Sequence, residues 1–76
     1  MVYLVVKNSN KRGCYALKTT HGQHLVRLRR QLFNNKKTKD LEVVIVSRPS
    51  AYGEYAPYTF VHSEQEFLEK ANSLVE

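Results

Sequence analysis

The first strand-like segment of this chain has no polar face. Residues 2–6 read Val-Tyr-Leu-Val-Val, and in an extended chain successive side chains point to opposite sides. Val2, Leu4 and Val6 therefore face one way, and Tyr3 and Val5 the other. Residues 41–46 repeat the problem, with Leu41, Val43 and Ile45 alternating with Val44 and Val46. β-Branched and aromatic residues of this kind favour strands. A sheet built on these two segments must be covered on both sides, or it must offer an apolar surface to another molecule.

The rest of the chain supplies the remaining elements. Asn8–Gly13 is a turn, with Gly13 available for a positive φ. Residues 14–19, Cys-Tyr-Ala-Leu-Lys-Thr, return as a second strand. Thr20 stands three residues before Gln23, a capping-box spacing, and predicts a helix to about Asn34. His21, Leu25, Leu28 and Leu32 fall on one face of it, with Val26 and Phe33 on the flank. Asn34–Asp40 is a polar loop, Leu41–Ser47 a third strand, Arg48–Pro57 a long connection, and Tyr58–His62 a fourth strand. Ser63 and Glu66 form a second capping box. Phe67, Leu68, Ala71, Leu74 and Val75 make the apolar stripe of the last helix, and Glu64, Glu66 and Glu69 suit the positive end of its dipole.

The order ββαββα predicts an α+β fold: a four-stranded, mostly antiparallel sheet with two helices on one face. On this reading each hairpin is followed by a helix, and the first and third strands are central. Residues 1–36 and 41–76 form a pseudo-repeat within a single domain, 1–76: Thr20/Gln23 correspond to Ser63/Glu66, Tyr15 to Tyr58, Leu17 to Phe60 and Leu25 to Leu68. The helix-free face would expose Tyr3, Val5, Val44 and Val46, with Ala16 and Val61 beside them. Such a patch implies a homodimer or another protein contact, unless the 48–57 connection folds over it.

With 76 residues the chain can bury one thin core layer and is too small for a deep catalytic cavity. A single cysteine excludes an intramolecular disulfide and a Cys-based zinc site, and suits a reducing, cytoplasmic setting. No apolar run is long enough for a membrane span, and the N-terminus lacks the pattern of a signal peptide. His21 and His24 have a metal-like spacing, with Cys14 and His62 as conceivable partners, but no second metal-binding signature accompanies them. Cys14 sits inside a strand and reads as a small buried side chain. No phosphate-binding glycine loop or nucleophile elbow is present. The expectation is a non-enzymatic protein without cofactor, metal or membrane.

Charge is unevenly placed. Residues 1–40 hold ten basic side chains against Asp40 alone, whereas residues 41–76 hold two against six glutamates. The basic half could attract phosphate or an acidic partner. A nucleic-acid binder would use Arg27, Arg30, Lys36 and Lys37 on phosphates, with Tyr3 or Tyr15 stacking on bases. Arg29 projects at the edge of the buried arc, where it would snorkel or pair with Glu42 or Glu54.

The connection itself is unusual. Tyr52, Tyr55 and Tyr58 are spaced by three among Arg48, Glu54 and both prolines. Tyrosine and arginine are frequent anchors of binding surfaces. The alternative is structural: the prolines stiffen the segment and Arg48 pairs with Glu54 across it. The stretches SRPSAYGEYAPYTFV and GCYALKTTHGQHLV resemble an uncharacterised family of short bacterial proteins, mostly from Gram-positive bacteria and their mobile elements. The resemblance covers nearly the whole chain, implies a stand-alone domain, and brings no assigned activity or catalytic residue.

The functional expectation is a small protein-interaction module. It would use Arg48, Tyr52, Glu54 and Tyr55 in the connection and Tyr3, Val5, Val44 and Val46 on the open face. The partner would be a second copy or a larger protein that the module adapts or inhibits. The alternative is the nucleic-acid binder.

Overall fold

The computed structural model describes residues 2–19, 22–48 and 57–76. They form β1 (Val2–Lys7), β2 (Cys14–Thr19), α1 (Gly22–Phe33), β3 (Glu42–Val46), β4 (Tyr58–Val61) and α2 (Glu64–Ser73). The order ββαββα and the α+β class are those expected. Leu41, Ser47 and His62 fall just outside their strands.

β1 and β2 are joined by a turn that Asn8 organises. Its side-chain Oδ1 accepts from the Asn10 amide (2.9 Å), and its carbonyl accepts from the Lys11 amide (2.9 Å). Gly13 then takes φ 89°, which a side chain would disfavour. The hairpin register places Leu4 opposite Leu17 and Val5 opposite Ala16.

The sheet order is β3-β1-β2-β4. β1 is antiparallel to both β2 and β3, and β4 runs parallel to β2. This corrects the expectation in two places. β3 is an edge strand, so β1 and β2 are the interior pair. β3 and β4 do not pair with each other, so the second half lacks the hairpin of the first. The reason lies in the ends that the chain must join. Val46 closes β3 beside Tyr3, whereas Tyr58 opens β4 beside Cys14. These are diagonally opposite corners of the sheet, and a strand starting from the far corner runs parallel to β2.

Both helices lie on one face. Leu4, Val6, Leu17 and Val61 from the sheet pack there with Leu25, Leu28 and Leu32 of α1 and Phe67, Ala71 and Leu74 near α2. Val61 was expected on the other face. Its pairing with Leu17 puts it on the helix side, where it is buried. The second face gathers Val5, Cys14 and Ala16, packed against Tyr3, Val44, Val46 and Tyr58.

The helix ends are closed by side chains. Ser63 Oγ accepts from the Glu66 amide (3.1 Å), and Glu66 Oε2 accepts from the His62 amide (3.2 Å). This is the capping box at α2, displaced by one residue on its return arm. Thr20 and His21, expected at the start of α1, lie outside the described residues. At the other end of α1, Thr38 is 1% exposed and its hydroxyl donates to the Leu32 carbonyl at 2.7 Å. Its carbonyl accepts from the Leu41 amide, so the polar segment after α1 is a hydrogen-bonded cap that leads into β3.

Val5 is 0% exposed, and Phe33 is 72% exposed. A carboxylate at position 5 has no water and no partner, a penalty of several kcal/mol against a total stability of about 5–15 kcal/mol. Val5→Glu is expected to leave the chain unfolded by circular dichroism, and Phe33→Glu to leave the melting curve nearly unchanged.

Candidate functional site

α1 carries two stripes. Leu25, Leu28 and Leu32 form the buried one. Val26, Arg29, Arg30 and Phe33 form a second at i, i+3, i+4 and i+7, about a third of a turn around the axis. This second stripe is exposed, and it faces the side of the sheet where β3 lies. Together with Thr38, Lys39, Leu41 and Val43 it lines a cleft of about 480 Å³, within the usual range of ligand-sized pockets.

The cleft is apolar and rimmed by cations. Val26, Phe33, Leu41 and Val43 supply its greasy wall, and Arg29, Arg30 and Lys39 its charge; among the described residues no carboxylate lines it. These three cations take part in none of the ion pairs between described residues. Val26 is 51% exposed and Ile45, on the same side of β3 as Val43, is 41% exposed. With Phe33, they are three of the four exposed large apolar side chains among the described residues; Phe60 is the fourth. The Thr38 hydroxyl is already committed to the Leu32 carbonyl. Such a lining suits an anion with an apolar body, and its described residues include no histidine or carboxylate.

The expected residues are distributed as follows. Arg27, Arg30, Lys36 and Lys37 are all exposed, and Lys37 pairs with Glu76 at 3.7 Å. Arg29 is exposed and forms no ion pair with Glu42. Tyr15 packs against the helix-side core with Lys70 over its ring at 5.9 Å. Tyr3 lies on the opposite face, tilted against Phe60 at 5.9 Å, and Phe60 stacks on Tyr58 at 6.3 Å. Of the two tyrosines expected to stack on bases, Tyr3 thus lies on the face opposite α1 and Tyr15 stands on the helix side. On the second face Val5 is fully buried, while Tyr3, Val44 and Val46 are half-buried. Val5 itself therefore offers no free surface on that face, and the cover expected from the 48–57 connection falls largely outside the described residues. Arg48 is exposed just past β3; Tyr52, Glu54 and Tyr55 lie outside the described residues.

His24 Nδ1 lies 3.1 Å from Glu64 Oε1 and links the first turns of the two helices. Among the described residues, no group of three His, Cys, Asp or Glu side chains could hold a metal ion. No helix among them is long and apolar enough to cross a membrane. The cleft escaped the sequence reading. The Val26, Arg29, Arg30, Phe33 spacing was visible there, but the edge position of β3 was not.

The fold and the site together define a ββαββα protein with an apolar, cation-rimmed cleft at one border of its sheet. The chain belongs to a family of unknown function, DUF6718, whose model matches residues 1–74. No curated protein matches it.

Cys14 is 3% exposed, with its thiol 3.9 Å from the Pro57 carbonyl. Burial pushes its pKa from 9.0 up to about 11, with Lys7 acting in the opposite direction. The thiol is therefore a poor nucleophile. Between these values the unfolded chain loses the proton while the folded chain keeps it, so stability falls as pH rises from about 9 to about 11. Thermal melts across that range should show the decline, and Cys14→Ala should make it shallower.

Proposed function

We propose that this protein is a non-catalytic binding module whose partner is another protein, docked in the cleft between α1 and β3. One observation carries the reading: exposed apolar side chains and unpaired cations converge on a single groove. Exposed Val26, Phe33 and Ile45 are costly to keep in water and valuable once covered. Arg29, Arg30 and Lys39 around them give direction and selectivity to the encounter. An adaptor and an inhibitor of a larger assembly would use such a groove in the same way. The second sheet face offers less, since Val5 and Ala16 are fully buried and, of the large apolar side chains described there, Phe60 alone is exposed.

The basic surface also supports a second reading. Arg27, Arg30, Lys36 and Lys37 are exposed along α1 and the segment that follows it, and a phosphate backbone would engage them with steep salt dependence. The apolar wall of the cleft favours protein, because phosphate contacts do not call for it.

Selection of random linear peptides against the immobilised protein tests the first reading. Enriched peptides should perturb the amides of Val26, Arg30 and Phe33, and Phe33→Asp should weaken them at least tenfold. Tight, salt-sensitive binding of labelled duplex or single-stranded nucleic acid, with no peptide enriched, would replace it with the second.

A further inference from the structure

Resting on the reading of the cleft as a protein-docking groove, we infer its occupant: an extended segment rich in aspartate or glutamate and aliphatic residues, added as a fifth strand along the outer edge of β3. Three observations converge on this partner.

The first is the edge itself. No described strand pairs with β3 on its outer side. Alternate residues of an edge strand turn their amides and carbonyls outward, and soluble proteins usually guard such edges with lysine, proline or a bulge. Residues 43–46 are Val-Val-Ile-Val, without lysine or proline. The second is the continuity of edge and groove. Val43 lines the cleft, and Ile45 follows it on the same side of β3. A strand laid on β3 would place every second side chain over Val43, Ile45 and the exposed stripe of α1. The third is charge. Arg29, Arg30 and Lys39 border the cleft with no carboxylate among the described residues of its lining, a charge pattern that an acidic incoming segment would complement.

The same charges argue against a second copy. Two β3 strands paired antiparallel about a two-fold axis would put both α1 helices on the same side of the joined sheet. Arg29, Arg30 and Lys39 of each copy would then border one shared groove, and like charges held together in an interface are unfavourable.

The probe is a synthetic nine-residue peptide, Thr-Val-Thr-Asp-Thr-Val-Thr-Asp-Thr, whose valines and aspartates share one face of the strand, with a control in which lysine replaces aspartate. The aspartate peptide should slow amide hydrogen exchange within Val43–Val46 and shift the amides of Arg29, Arg30 and Lys39. Arg29→Glu/Arg30→Glu should weaken it at least tenfold. Arg12→Glu/Lys18→Glu, which changes net charge equally on exposed residues elsewhere, should change it less than twofold. Lys39→Glu is the second test if the double variant folds poorly.

Equal binding of the lysine peptide would overturn the acidic partner. Shifts at α1 without added protection in Val43–Val46 would overturn the added strand. Sedimentation showing a dimer that Ile45→Lys dissolves would replace the partner with a second copy. In each of these cases neutral or helical peptides selected at the cleft would leave the docking groove standing; if no peptide of any composition reaches the cleft, the groove reading fails as well.

Discussion

The β1–β2 hairpin is apolar on both faces, and everything else in the fold answers to that. Leu4, Val6 and Leu17 need cover on one side, Val5 and Ala16 on the other. Strands that must be dry on both faces belong in the interior of a sheet. β1 and β2 therefore take the two inner places, and β3 and β4 are left with the borders. The two helices follow the same logic: their apolar stripes seat on the side of Leu4 and Leu17. A hydrogen bond from Asn8 Nδ2 to the Leu74 carbonyl, at 2.7 Å, fastens the hairpin turn to the last helix.

The cleft is a by-product of this arrangement. α1 needs only Leu25, Leu28 and Leu32 to complete the core over β1 and β2. The neighbouring stripe of the helix extends towards β3 but does not seal against it, and the Thr38 cap holds the two apart at a fixed width. A groove walled by a helix on one side and an open strand on the other is the outcome. Thr38 and Leu41 are buried on its scaffold side, while Phe33 and the arginines remain exposed.

Much of this was legible in the amino-acid sequence. All six elements, their order, the leucine stripe of α1, the Phe67–Ala71–Leu74 stripe of α2 and the Ser63/Glu66 cap follow from local periodicity and capping chemistry, which depend on residues a few positions apart. What was hidden depends on partners far apart in the chain. Alternation reveals the two faces of a strand but not its neighbours, so the border position of β3 and the parallel course of β4 could not be read from Val43–Val46 or Tyr58–Val61. Val61 went to the helix side because its face is set by its register with Leu17. Val5 looked like contact surface and is core, since an apolar side chain carries no label for what covers it. The cleft was half legible, as a helix stripe without the strand that faces it.

The Asn8–Leu74 bond spans 66 positions of the chain, and each β2–β4 pair, such as Cys14 with Tyr58, spans 44. Only the β1–β2 hairpin is local. Loop-closure entropy must be met before such distant contacts reward it, which places this small fold among slower folders than helical proteins of its size. Until β4 and α2 arrive, the outer edge of β2 and the apolar side chains beneath α2 are open to water and to other chains. The window in which this protein is most exposed to misassembly therefore lies late in folding, after its most hydrophobic hairpin has formed and before its most distant segment has closed over it.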